Sequence, residues 1–241
     1  MPRFRYLIAF LLVAASSAMG SVTLSGTRLV YPAGAREITF SMSNEGTQPA
    51  LVQAWVDDGD SNATATSTQA PFYLTPPIFR LEPAKGQMLR IMFTGAALPA
   101  DRESVFWLNV LDIPPAPKQA ADSNYMQLAV RSRIKLFYRP ARLPGSPRQA
   151  TEDLRWRLVT EGARQVLRAS NASAFHVSLS QASLIVQGQE FHTQGGMVPP
   201  FGSLDLPLPT LPTPLQLPAR VRYESLDDYG GSNSMQAPLQ P

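Results

Sequence analysis

Apolar and polar residues alternate with a period of two along much of this chain, and the longest such stretch is residues 125–140, YMQLAVRSRIKLFYRP. Met126, Leu128, Val130, Ile134, Leu136 and Tyr138 fall on one face, and Gln127, Arg131, Arg133, Lys135 and Arg139 on the other. That is the pattern of a half-buried strand. Strands in globular domains usually run about five or six residues. This one is predicted to run more than twice as far before Pro140 stops it. On pattern alone it reads as one long sheet strand with a solvated basic face. A strand that overruns its own sheet, however, has an end with nothing of its own to pair with.

Shorter segments rich in Val, Leu, Phe, Thr and Tyr predict strands at 22–31, 37–43, 51–56, 72–75, 78–81, 88–94 and 105–113, with Trp55 expected in the core. Asn44-Glu45-Gly46, Pro76-Pro77 and Pro114-Pro115 punctuate them, and 57–70 reads as a polar loop. A concentration of proline, glycine and basic residues at 138–147 marks a domain boundary. Beyond it, strands are expected at 155–159, 165–169, 174–179, 184–186 and 220–223, with turns at 195–202 and 227–231. The proline-rich stretch 206–218 is expected to be a sheet edge or a polyproline-like connection, because proline cannot donate to a ladder. The last residues read as disordered. No long run has the helical period, so the chain is predicted to be all-β, built as sandwiches.

Composition adds a compartment. Arg3 and Arg5 precede an apolar run over 6–15, with small residues at Ala18 and Gly20. This is the pattern of a secretory signal peptide, too short to span a membrane, with cleavage expected after Gly20. Residues 1–20 are therefore assigned to the signal, 21–140 to one domain and 141–241 to a second, with no direct membrane insertion. Removing the signal takes two arginines and no acid, so the formal charge falls from +3 to +1, with 19 basic against 18 acidic side chains. That balance gives no reason to expect nucleic acid as a partner. The chain has no cysteine, and about 220 exported residues can bury cores without disulfides.

Catalytic motifs are missing. His176 and His192 each follow a phenylalanine on a predicted strand and read as structural. There is no HExxH, no GxSxG, no GxGxxG and no cluster of ligating residues, so neither an enzyme nor a cofactor or metal site is expected. From these residues alone, a secreted adhesive or carbohydrate-binding sandwich is one reading.

Several segments carry a resemblance: GTRLVYP at 26–32, LVQAWVDDGD at 51–60, TPPIFRLEP at 75–83, DRESVFWLNVLDIPP at 101–115, RIKLFYRP at 133–140 and DDYGG at 227–231. In this order and spacing they resemble the periplasmic pilus-assembly chaperones of Gram-negative bacteria, the PapD-like family of the chaperone/usher pathway. In the second half the resemblance thins to NASAFHVSL at 171–179, GGMVPPFGS at 195–203 and DDYGG.

The resemblance implies two immunoglobulin-like β-sandwiches in an L or boomerang arrangement with a cleft between them, located in the periplasm and without enzymatic activity. The implied partners are fimbrial subunits and an outer-membrane usher. The client is an incomplete sandwich lacking its last strand, and the chaperone lends part of its own long strand, a known case of β-augmentation called donor-strand complementation. No ATP is needed, because another subunit's extension later displaces the lent strand. By resemblance, Met126, Leu128 and Val130 are the donor positions, whereas Ile134 and Leu136 are expected to pack the chaperone's own core. Arg28 and Lys135 match the pair that anchors the subunit's C-terminal carboxylate. Glu103, Arg139 and Asp228 match a charged contact between the domains, for which Asp227 is an alternative to Asp228. The modest connection between Pro115 and Tyr125 resembles the short-loop members that serve rod-forming pili.

Overall fold

Short one-sided strands can bury their apolar faces only by stacking sheet on sheet. The computed structural model, which describes residues 21–116, 126–161, 164–211 and 218–240, does this twice. The expected signal segment, Tyr125, nearly all of the connection before it and residues 212–217 of the proline-rich stretch lie outside the described residues.

In the first half, nine strands form: β1 (Val22–Leu24), β2 (Arg28–Pro32), β3 (Ile38–Asn44), β4 (Ala50–Asp57), β5 (Phe72–Thr75), β6 (Ile78–Leu81), β7 (Gly86–Phe93), β8 (Ser104–Ile113) and β9 (Val130–Arg139). One sheet has the order β1-β3-β7-β5 and the other β2-β9-β8-β4-β6. Tyr31, Phe40, Val52, Leu89, Ile91, Leu108 and Leu136 meet in the core between them. The single strand expected over 22–31 is two. Its first part pairs antiparallel with β3 in one sheet, and its second pairs in parallel with β9 in the other. Ser25, Gly26 and Thr27 carry the chain across.

The second half contains helix α1 (Pro147–Glu152) and strands β10 (Arg155–Glu161), β11 (Arg164–Ser170), β12 (Val177–Val186), β13 (Gln189–Val198), β14 (Ser203–Pro207), β15 (Ala219–Leu226) and β16 (Ser232–Gln240). Their order is β13-β12-β15-β16-β10-β11-β14. The sheet curls around a core that includes Trp156, Leu167, Leu184, Val198, Val221 and Tyr223. The two halves are thus two immunoglobulin-like domains in a nearly all-β chain.

Four expectations change in this half. Helix α1 forms where none was expected, because Ser146 accepts the Gln149 amide at 3.2 Å and Pro147 supplies a preset first helical residue. Segments 174–179 and 184–186 join into one bulged strand, β12. The polar stretch QGQEFHTQGG is largely strand β13, turned back on β12 by Gln187 and Gly188, both at positive φ, which is the backbone of a type I′ hairpin. The last residues are ordered as β16, which pairs antiparallel with β15 and in parallel with β10. Met235, Ala237 and Leu239 pack one of its faces against the core.

Candidate functional site

The basic face of β9 is not simply solvated. Arg131 lies over the Trp55 ring at 4.8 Å and Arg133 over Trp107 at 4.1 Å. Arg133 also donates two bonds, of 2.9 and 2.6 Å, to the buried carboxylate of Asp57, which accepts a third from Asn109 at 2.7 Å. Trp55 is therefore buried on the outer face, beneath a guanidinium, with its indole N–H donating to Ala63 at 3.1 Å. It does not join the core between the sheets. Cation–π stacking lets an arginine cover a tryptophan that the strand's parity sends outward.

Lys135 follows Arg131 and Arg133 on that face and differs from them. The parallel ladder sets it directly opposite Arg28 of β2, and like charges in opposed positions repel. Neither cation is ion-paired to a carboxylate among the described residues. Both reach the second domain: Arg28 Nη1 donates to the Leu226 carbonyl at 2.9 Å and Lys135 Nζ to Ser178 Oγ at 3.0 Å. Burial, with Arg28 adding to it, holds the Lys135 ammonium down to about 8 from its ordinary 10.5. Burial also lowers the Arg28 guanidinium, against the pull of Asp227 and Asp228. Arg28 Nε is buried without an acceptor. A cleft of about 730 Å³ between the domains is lined by Arg28, Phe137, Arg139, His176 and the 225–229 segment, and Lys135 stands outside its lining.

Arg139, near the far end of β9, bridges two acids. It donates to Glu103 at 2.6 Å and, in a two-pronged contact of 2.8 and 2.9 Å, to Asp228. Burial works against its charge, but the two carboxylates outweigh burial and raise its pKa. Asp227 is occupied elsewhere, accepting the backbone N–H groups of Tyr229 and Gly231 in its own turn. The other oxygen of Glu103 accepts the backbone N–H of His176 at 2.8 Å. The His176 ring packs against Phe137, and Phe175 lies under Arg139. His176 immediately precedes β12 and is not a strand residue. With Glu103 only 4% exposed, Arg139→Ala strips a buried carboxylate of its guanidinium. The expected loss is about 2 kcal/mol of stability by chemical denaturation, with much of it recovered in the double variant Arg139→Ala/Glu103→Gln.

The start of β9 completes the site. The strand runs ten residues from Val130, shorter than the pattern promised, and Met126 to Ala129 are described but unpaired. From Val130 to Ile134, β9 bonds to β8 on one side, whereas β2 covers its other side only from Lys135 onward. Among the described residues, the edge from 130 to 134 is thus open, and it ends at the Arg28–Lys135 pair. Met126, Leu128 and Val130 are 84%, 69% and 54% exposed. Leu136, by contrast, is fully buried, and Ile134 packs against the same core.

Comparison with known proteins gives the chain's relatives. Residues 21–144 match the family model of the pili and flagellar-assembly chaperone PapD N-terminal domain, and 149–237 that of the pili assembly chaperone PapD C-terminal domain. The chain is 41% identical over 235 residues to the chaperone protein FimB/FhaD of Bordetella pertussis, covering 96% of this chain and 93% of that one. It is 37% identical over 220 residues to the probable fimbrial chaperone YadV of Escherichia coli, covering 90% and 89%. Among solved structures, the Pseudomonas aeruginosa CupB2 chaperone superposes with a TM-score of 0.76 at 37% identity, over 90% of this chain and all of that one. A chain from the complex of Salmonella enterica SafA pilin with the SafB chaperone superposes with a TM-score of 0.75 at 31% identity, over 93% and 99%.

Proposed function

This chain belongs to the PapD-like family of pilus-assembly chaperones, a non-enzymatic family, and from that premise we propose that it captures fimbrial subunits in the periplasm by donor-strand complementation and delivers them to an outer-membrane usher without ATP. The observation that carries this reading is the open edge of β9 leading into the Arg28–Lys135 pair. A client strand added along that edge in the direction of β9 brings its C-terminal carboxylate to the two cations. An arginine fork and a lysine point charge together fix the orientation and register of such an end. Meanwhile Met126, Leu128 and Val130, exposed in the free protein, enter the client's groove. Exposed apolar side chains on an unpaired strand end are otherwise an aggregation liability. The Glu103–Arg139–Asp228 network sets the angle at which the second domain presents itself.

Co-expression with a fimbrial subunit tests the reading. A one-to-one complex should copurify, and a peptide with the sequence of another subunit's N-terminal extension should dissociate it without ATP. A chain that bound glycans and no subunit would instead be an adhesive sandwich.

The anchor also predicts a pH dependence. Capturing a carboxylate favours the ammonium form of Lys135, so binding takes up a proton wherever the free side chain has lost it. Affinity should therefore be flat below about pH 8 and fall above it by up to about tenfold per pH unit. Titration calorimetry of subunit capture reads the profile directly, and a profile that stays flat to about pH 10 would remove Lys135 from the contact.

A further inference from the structure

The second domain supplies two partners to the cation pair, and they are themselves neighbours. Ser178 of β12 and Leu226 of β15 stand opposite each other in their ladder, as Arg28 and Lys135 do in theirs. Leu226 contributes a carbonyl and Ser178 a hydroxyl, so the four positions form the corners of one small polar enclosure. Ser178 is only 4% exposed. Its oxygen accepts from Lys135 Nζ at 3.0 Å, and its own proton has no acceptor among the described residues. A hydroxyl that accepts from an ammonium turns its proton away from that donor, which leaves one unused hydrogen-bond donor in the enclosure.

Ser178 reaches this place only because β12 is irregular. Val177 and Leu179 point into the core of the second domain, and so do Ala182, Leu184 and Val186, although the two sets differ in parity. The register against β15 shifts between Leu179 and Gln181, so Ser180 is the extra residue of a β-bulge. Without it, Ser178 would share a face with Ala182 and Leu184 and point inward. The bulge in turn depends on its neighbour in β13. A Cβ at Gly195 would lie 2.1 Å from the Leu179 carbonyl oxygen and 2.4 Å from the Ser180 carbonyl group, so a side chain there is incompatible with this backbone. Bulges re-aim side chains at functional sites, and this one delivers a polar residue from the second domain to a charge pair on the first.

We infer that Ser178 is a third ligand of the captured strand's terminal carboxylate, a neutral donor from the second domain beside Arg28 and Lys135 of the first. The inference rests on the anchor reading above and extends it, because the anchor is then shared by both domains. Capture is also sensitive to how the domains sit, since displacing the second domain withdraws one of the three ligands. An ammonium and a guanidinium attract any anion, whereas a hydroxyl at fixed distance adds a geometric requirement for the position of one carboxylate oxygen.

The test uses the full mature chain and a short synthetic peptide of alternating valine and threonine, prepared with a free C-terminal carboxylate and as the C-terminal amide. Wild type should prefer the free acid. Ser178→Ala, isosteric but for the hydroxyl, should lose about tenfold in affinity for the free acid and nothing for the amide, and Ser178→Thr should recover most of the loss. Repeating the measurement near pH 6, where Lys135 is protonated in every variant, separates a direct contact from one made through the lysine. A deficit that persists there supports direct donation. A deficit that disappears there, or a Ser178→Ala protein that keeps the wild-type preference, overturns the inference and leaves the two-cation anchor standing. If wild type does not distinguish the acid from the amide, the anchor reading fails, and the inference fails with it.

Discussion

Lys135→Met is expected to abolish subunit capture and, at neutral pH, to make the free chaperone more stable. Capture is lost because a charge-assisted contact contributes about 1.5 to 3 kcal/mol, or roughly ten- to hundredfold in affinity. The gain in stability comes from the free protein, where Lys135 is a half-buried ammonium opposite Arg28 that meets one hydroxyl and, at 5.8 Å, the face of the Trp107 ring, with no carboxylate paired to it among the described residues. Its folded-state pKa of about 8 lies below the ordinary 10.5, so between those values the unfolded chain binds more protons than the folded one. Stability contributed by this group therefore rises as pH increases from about 8 to 10.5 and is at its lowest below about 8, where the charge is held in both states. Replacing the ammonium by a methionine of similar length removes that penalty, worth on the order of 1 kcal/mol once solvent screening is allowed for. Arg28→Ala should also lose capture, and it should return the Lys135 pKa part of the way toward its ordinary value. Thermal unfolding beside a subunit pull-down measures both effects. A Lys135→Met protein that is less stable and still binds subunit would show the lysine to be a structural residue.

That opposition between stability and binding explains what the sequence could and could not disclose. Period-two alternation located most strands because one face of each is buried, and the apolar positions of β3, β7 and β8 fall where the pattern put them. It failed where burial has another cause. Trp55 is covered from outside by an arginine, and β13 is held by main-chain pairing and a two-residue hairpin in spite of its polar sequence. Strand β16 looked like a polar tail although Met235, Ala237 and Leu239 alternate in it.

The site was legible only in part, for a related reason. Arg28, Lys135, Glu103, Arg139 and Asp228 were singled out by resemblance, because nothing in a lone basic residue on a strand says whether it is solvated. Their partners on the second domain were missed. Ser178, His176 and the Leu226 carbonyl are brought to the first domain by tertiary folding, and periodicity carries no information about that. One signal of this contact does lie in the sequence: Phe137 occupies a polar-face position between Lys135 and Arg139. An apolar ring in that row marks the place where the outer face of β9 stops meeting solvent and meets the second domain, and Phe137 does pack against His176 there. The Ser180 bulge leaves a fainter trace, since the apolar parity of β12 changes between Leu179 and Ala182.

Leu128→Glu is expected to leave the free chaperone as stable as wild type and to prevent capture altogether. The first half of that expectation follows from exposure. Leu128 is 69% accessible and precedes the first paired residue of β9, and polar substitutions at such surface positions usually change stability by no more than about 0.5 kcal/mol. The second half follows from what donation requires. If Leu128 enters an apolar groove of the subunit, the leucine contributes roughly 1.5 to 3 kcal/mol by burial, and a glutamate there forfeits this and adds the cost of an unpaired buried carboxylate. Leu136→Glu supplies the contrast on the same strand face. Leu136 is fully buried in the core between the sheets, so this change should unfold the first domain and lose capture only as a consequence. The pair separates a residue expected to serve the client from one that serves the chaperone, although alternation along residues 125–140 gives both the same rank. The experiment is thermal unfolding of each variant beside subunit pull-down, with Met126→Glu and Val130→Glu as neighbours that should behave like Leu128→Glu. A folded Leu128→Glu protein that still captures subunit would remove the 126–130 segment from the donor role. Capture would then have to rest on the open edge from 130 to 134 and on the cations at its end.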